Sequence, residues 1–251
     1  MSAEALLIER GDDRIVATLN RPEKRNAIDQ EMIDALHGLC AELEAEPRTL
    51  IITGSERVFA AGADIAQLRE RRAEDARRAI NATAFIRINE LPMPVIAALS
   101  GHALGGGAEL AYAADLRIAS PSLKIGNPET GLGIMAAAGA TWRLPEIAGH
   151  ARASELLLTG RVLDADEAIT WGLVSSIHPF DELLAAAHAL ADRIAGNDAL
   201  ATRHTKRALR APRHEHPDIE RELQAELFES DEKVRRMTAF LNRSEDRRAR
   251  T

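Results

Sequence analysis

The sequence predicts an α/β protein closed by a helical C-terminal section. Three observations predict it. Short apolar strand patterns alternate with helical spacings along most of the chain. The alternation stops near Phe180, and only helical patterns follow. The 251 residues are 45% hydrophobic but only 3% aromatic, so Ala, Leu and Ile must fill the core, which suits closely packed helices.

The elements follow in order. Leu6 to Glu9 and Arg14 to Asn20 are predicted strands around a turn at Gly11-Asp12-Asp13. After a polar loop from Arg21 to Asn26, Asp29 is placed to cap a helix. Its apolar residues Met32, Ile33, Leu36, Leu39, Cys40 and Leu43 recur at helical spacing. Thr49 to Thr53 is a predicted buried strand ended by Gly54. A helix is predicted from Ala73 to Asn89, stopped by Leu91-Pro92-Met93-Pro94 because proline disfavours helical backbone before it. Val95 to Leu99 is a strand, Gly101 to Gly107 a loop leading into a helix through Ala114, and Leu116 to Ala119 another strand. Residues 181–195, 199–210, 217–230 and 231–241 are predicted helices. No flexible linker separates them from the core, so residues 1–251 form one predicted domain, with an α/β core over 1–180 and a helical section over 181–251.

Charge and cysteine content exclude several classes. The net charge of −7 argues against a broad nucleic-acid or anionic membrane surface, while leaving room for a local cationic cluster that meets an anionic small ligand. The single cysteine, Cys40, forms no internal disulfide and fits a reducing compartment; it is expected as a small core residue. The N-terminal stretch is acidic and has no apolar core of signal length, and no run approaches the ~20 apolar residues a membrane helix requires. A cytoplasmic protein is expected. The histidines show no metal-ligand spacing, so no metal is expected; His214 and His216 sit too close together in a polar loop.

Three segments carry chemistry. In Ser100 to Leu110 an apolar strand runs into Gly105-Gly106-Gly107 and then into a helix. The first amides of a helix have no internal partner and point outward with the positive end of the dipole, a site for developing negative charge. Taken alone, the glycines are equally a tight turn chosen for packing. Phe59 to Ile65 also follows a strand, with Asp64 as the cap of a short helix; alone it reads as a structural turn. Glu129 lies in the loop Gly126 to Gly133 among glycines, a proline and apolar neighbours, where a carboxylate in a pocket acquires a raised pKa. Most loop glutamates are simply exposed.

Together these segments resemble the enoyl-coenzyme A hydratase/isomerase family, also called the crotonase family. The resemblance runs through Thr18 to Pro22 with Asn26-Ala27, Ala60 to Ile65, Ala103 to Leu110, Pro128-Glu129 with Leu132-Gly133-Ile134, Leu158 to Arg161, and Gly172-Leu173-Val174. It implies a spiral of β-β-α repeats and a helical C-terminal section that builds homotrimers or homohexamers. It implies an acyl-coenzyme A substrate, with coenzyme A as part of that substrate and no separate cofactor. The thioester oxygen is expected between the N–H groups of Ala61 and Gly106. Glu109 is expected to activate water and Glu129 to deliver a proton to the α carbon. Lys24, Ala27, Ala63, Asp64, Ile65, Leu104, Gly105 and Ala137 are expected to line the substrate. Two glutamates favour hydration of a trans-2-enoyl thioester in fatty-acid or related acyl-coenzyme A metabolism. Isomerisation or another enolate-forming reaction is the alternative, and a non-catalytic acyl-coenzyme A binding protein is the alternative of another class.

The match has departures. Relatives commonly show Pro-Gly and Gly-Gly pairs where this chain has Ile134 to Arg143, with alanine at 136, 137 and 140 and Trp142 in place of a polar residue. Trp142 and His102 are expected to pack rather than react. Lys24 and Arg25 sit where relatives pass the adenine and ribose-phosphate end of coenzyme A, and are equally expected to pair with phosphate or to be a solvated surface pair. Arg69, Arg71, Arg72, Arg77 and Arg78, interspersed with Glu70, Glu74 and Asp75, are expected on a solvent-facing helix with ion pairs along it. The tail Arg247-Arg248-Ala249-Arg250 is expected to be disordered.

Overall fold

The computed structural model describes residues 4–248, with side chains described as far as residue 243. The strands are β1 (Leu6–Arg10), β2 (Arg14–Leu19), β3 (Thr49–Thr53), β4 (Val58–Ala60), β5 (Val95–Leu99), β6 (His102–Leu104), β7 (Leu116–Ala119), β8 (Lys124–Gly126) and β9 (Val162–Asp164). The helices are α1 (Gln30–Ala45), α2 (Ile65–Glu70), α3 (Ala73–Arg78), α4 (Ile80–Asn89), α5 (Gly106–Ala113), α6 (Ala140–Ala148), α7 (His150–Thr159), α8 (Ala165–Thr170), α9 (Phe180–Ala195), α10 (Ala199–Arg210), α11 (Asp218–Phe228) and α12 (Asp231–Arg248). Two compact units divide the chain, residues 1–193 and 194–251, with the division inside α9 rather than at residue 180.

The first unit holds two sheets. One has the order β1-β2-β3-β5-β7, the other β4-β6-β8-β9. From β3 to β8 the chain alternates between them, giving one strand to each sheet before each helical return. That is the β-β-α spiral implied by the resemblance. Strands β3 and β5 are buried along their whole length, as the runs TLIIT and VIAAL require of parallel strands covered on both faces. Helix α1 is capped by Asp29, whose carboxylate accepts the Met32 N–H at 3.0 Å, and it buries the six predicted residues against the larger sheet.

The second sheet was not evident in the sequence. Strands β4, β6, β8 and β9 are three residues each, too short for an alternating pattern. Residues predicted as the loop 101–107 contain β6 and the start of α5. The predicted helix 73–89 is also corrected. Ala79 adopts a left-handed conformation (φ 52°) and splits it into α3 and α4. α3 buries nothing, whereas α4 buries Ala82, Ala84, Phe85 and Ile88. The break lets a polar turn and a packed turn face different ways, and no local residue preference marks it.

The second unit contains α10, α11 and α12, where Lys206 and Leu223 are buried. Helix α12 extends beyond the predicted residue 241 through Arg248, so Arg247 and Arg248 are helical, while Ala249 and Arg250 lie outside the described residues. No helix among the described residues is long and apolar enough to cross a membrane.

Candidate active site

A cavity of about 720 Å³ opens between the two glycine-containing turns of the first unit, the turn Pro128–Leu132 and helices α2 to α4. Gly106, Glu109, Glu129 and Ala137 all line it. The two glutamates, twenty residues apart in sequence, thus share one space.

Glu109 lies in the first turn of α5 and is 3% exposed. Its Oε1 accepts the N–H groups of Ala138 at 2.7 Å and Ala140 at 3.1 Å. Ala140 begins α6, so its N–H has no partner within the helix and is free to hold the carboxylate. These are backbone donors, so alanine at 138 and 140 serves as well as glycine. Burial raises the Glu109 pKa to about 7 against the pull of the two amides; the Glu129 charge raises it further and Arg143 lowers it. The Arg143 guanidinium packs where a Gly139 side chain would stand, since an added methyl would come 2.0 Å from its Nη1.

Glu129 stands in the 3-10 turn Pro128–Leu132 and is 8% exposed. Its Oε1 accepts the Asn127 side-chain N–H at 3.3 Å, and its Oε2 is buried without a hydrogen-bond partner. Burial raises its pKa, opposed by its own backbone N–H and by Asn127. Gly105 makes room for it. A methyl there would stand 3.2 Å from Oε1, and the backbone has φ 53°, which favours glycine.

The expected donor Ala61 is corrected by the structure. Its N–H is already given to the Arg25 carbonyl at 3.0 Å. The donor facing the cavity is Ala63. Ile28 forms a parallel bridge with Ala63: the Ile28 N–H reaches the Gly62 carbonyl at 2.8 Å, and the Asp64 N–H reaches the Ile28 carbonyl at 3.1 Å. Those two bonds straddle Ala63 and turn its own N–H to the opposite side. Gly106 begins α5 and keeps its N–H free, and a methyl on Gly106 would stand 3.5 Å from the Ala63 nitrogen. Two unused amides therefore lie side by side above the glutamates. Behind them, Asn26 is 1% exposed and binds the carbonyls of Val58 at 3.3 Å and Phe59 at 3.0 Å, which fixes the end of β4.

Other expected site residues divide. Ala63, Ile65, Leu104, Gly105 and Ala137 line the cavity, and Ile65 is 59% exposed at its edge. Asp64 does not line it; the carboxylate caps α2 through the N–H groups of Ala66 at 3.0 Å and Gln67 at 3.3 Å. Lys24 and Ala27 lie on the loop before α1, outside the cavity wall. His102 is exposed and also outside it, so it does not pack as expected. Trp142 is 42% exposed beneath a cation–π contact from Arg143. Cys40 is buried, and burial pushes its thiol up to about 12.

The sequence missed Arg71, Arg72 and Asn81. The sequence pattern predicts both arginines on a solvent-facing helix, yet both line the cavity. The ion pairs expected along that stretch do form at Arg69–Glu70 (2.9 Å) and Arg78–Asp75 (3.8 Å). Only the three-dimensional break between α2 and α3 turns Arg71 inward.

The family description "Enoyl-CoA hydratase/isomerase" matches residues 11–247. The chain is 37% identical over 250-odd residues (254 aligned) to a crotonyl-CoA hydratase of Syntrophomonas wolfei, covering 97% of each. It is 34% identical to a short-chain-enoyl-CoA hydratase of Clostridium acetobutylicum, again covering 97% of each. The crystal structure of an enoyl-CoA hydratase from Bacillus anthracis superposes with a TM-score of 0.90 at 32% identity, covering 95% of this chain and 96% of that one. With the family matched along nearly its whole length and the same fold in a solved relative, this chain belongs to the enoyl-CoA hydratase/isomerase family.

Proposed function

We propose that this protein is an enoyl-CoA hydratase, adding water reversibly to a trans-2-enoyl-CoA to give a 3-hydroxyacyl-CoA. The observation that carries the reading is the placement of two buried carboxylates in one cavity beside two unused backbone amides. The thioester oxygen binds between the N–H groups of Ala63 and Gly106. Glu109 takes a proton from water as the oxygen adds to the β carbon. The electron pair of the double bond moves onto the thioester oxygen as an enolate, and the two amides stabilise it. A proton from Glu129 to the α carbon then restores the thioester. Dehydration runs the same steps backward.

The environments suit these roles. Two amide donors favour the ionised form of Glu109, which the base needs. The Glu129 Oε2 has no donor in the protein, which favours a proton there. Lys24, Ala27 and Ile65 remain the proposed contacts for the coenzyme A portion. A homotrimer or homohexamer in the cytoplasm, serving fatty-acid or related metabolism, completes the proposal. Exposed Phe228, Val234, Met237 and Phe240 on the last two helices supply apolar surface for such assembly.

The test is loss of enoyl-thioester absorbance with crotonyl-CoA, for the wild-type protein beside Glu109→Gln and Glu129→Gln. Hydration that fails in both variants is expected. Turnover of a 3-enoyl thioester that survives Glu109→Gln, without hydration, would establish isomerisation instead. Tight binding without turnover in the wild-type protein would establish a binding protein.

A further inference from the structure

The outer wall of the cavity carries a positive charge that no group among the described residues neutralises. Arg71 follows the last turn of α2 and lines the cavity. Its Nη1 donates a hydrogen bond to the Asn81 side-chain carbonyl at 3.3 Å. It forms no ion pair among the described residues. The nearby acid on the same wall, Asp75, is engaged elsewhere: its carboxylate accepts the Arg72 backbone N–H at 2.9 Å and lies 3.8 Å from Arg78. Most of the remaining wall is apolar, including Leu68, Ala76, Ile80, Leu104 and Met135. A guanidinium facing such a space gains most from an anion that enters with the ligand, because a bidentate carboxylate replaces its lost water.

Asn81 locates that anion. It is 9% exposed, stands in the first turn of α4 and lines the cavity. With its carbonyl held by Arg71, its side-chain N–H groups turn to the other side. Its Nδ2 would lie 3.6 Å from a methyl built on Gly106, next to the thioester-oxygen donor. The cation and the amide therefore sit close to the reacting end of the cavity. A long aliphatic acyl chain gains nothing from them.

We infer that Arg71 and Asn81 form an anion-binding subsite and that the substrates of this site are short acyl-CoA thioesters bearing a terminal carboxylate. This rests on the reading of the cavity as an acyl-CoA site. Arg71 grips the carboxylate, and Asn81 holds the guanidinium in register while donating to the acyl group.

Binding of saturated thioesters tests it without any need for turnover. Titration calorimetry compares glutaryl-CoA with butyryl-CoA on the wild-type protein, Arg71→Met and Arg71→Lys. A charge-assisted hydrogen-bonded pair predicts glutaryl-CoA binding about tenfold or more tightly to the wild-type protein. In Arg71→Met that ratio should fall towards one, with partial recovery in Arg71→Lys. Thermal melting checks that each variant is folded, and Asn81→Leu supplies a second variant, in which the ratio should also fall. Equal affinities in the wild-type protein, or a ratio that survives Arg71→Met, would overturn the inference. A loss shared equally by both ligands would place the guanidinium on a coenzyme A phosphate and overturn it as well. Crotonyl-CoA hydration by the same preparation separates the two levels: hydration without a carboxylate preference sinks the subsite alone, whereas absence of both hydration and acyl-CoA binding sinks the reading of the cavity.

Discussion

The two walls of the cavity are built on different principles. The inner wall, from Gly105 to Glu109 with Glu129 and residues 138–140, is buried and fixed by backbone contacts. α5 is buried from end to end, and a methyl on Gly107 would stand 2.2 Å from the Ala60 carbonyl oxygen, so this helix start lies hard against β4. The outer wall, α2 to α4, is made of short helices, two of which bury nothing. It is held by caps, ion pairs and a left-handed turn at Ala79. On the proposed reading of the cavity, the difference separates reaction from selectivity. Groups that move protons need positions set to a fraction of an ångström, which a close-packed core supplies. Groups that choose among acyl chains tolerate a looser frame. Damage to the inner wall should therefore fall on kcat, and damage to the outer wall on KM.

The largest effect is expected from the glutamates. Glu109→Gln and Glu129→Gln should each lower kcat for crotonyl-CoA by about a thousandfold or more, the upper range of what a positioned acid or base contributes. Steady-state kinetics checks this, and equal modest losses confined to KM would erase the distinction between the walls. Next in size is the amide proposed to bind the thioester oxygen. Gly106→Pro removes one donor at the first position of α5, where proline is otherwise tolerated, and should lower kcat by about 10²- to 10³-fold. An unchanged kcat in this folded variant would dismiss the paired-amide geometry.

The inner wall also carries a cost that can be measured without substrate. The Glu109 carboxyl has a folded pKa near 7, above its ordinary 4.5. The folded state thus holds the proton more tightly than the unfolded state. The associated stability is fully present below about pH 4.5 and is lost as pH rises through 7. The shift corresponds to on the order of 3 kcal/mol. In Glu109→Gln that pH-dependent loss should vanish, so urea midpoints measured from pH 5 to 8 should decline less than in the wild-type protein. In the same range, kcat/KM of the wild-type protein should rise with pH, because the base must be ionised.

The inner wall was also the more legible in sequence. The family resemblance singles out Glu109, Glu129 and Gly106, and it can do so because its motifs are short and contiguous: the strand, glycine turn and helix start over residues 100–110, and Pro128-Glu129. The motif points to Ala61, whereas the amide that faces the cavity is that of Ala63, because its direction is set by the bridge from Ile28, a contact across more than thirty positions that no local pattern displays. The short strands of the second sheet escaped for the same reason: their existence rests on neighbours such as β4 with β6, not on their own three residues. On the outer wall, alternating Arg, Glu and Asp look like any solvated helix. What brings Arg71 inward is the end of α2 and the position of Asn81, ten residues on.

The smallest effect is the sharpest probe of the outer wall. Asp64 neither lines the cavity nor reaches the glutamates, but it caps α2 through Ala66 and Gln67. Asp64→Ala should cost about 1 kcal/mol of stability, as loss of a helix cap commonly does. Its consequence for function follows from what α2 carries. Leu68 lines the cavity, and Arg71 follows directly at the helix end. A frayed α2 loosens both while leaving the amides of Ala63 and Gly106 tied to the core through Ile28 and α5. KM should therefore rise several-fold, with a smaller change in kcat. If kcat fell as steeply as in Gly106→Pro, the two walls would be one mechanical unit, and the division between a reacting wall and a selecting wall would have to be given up.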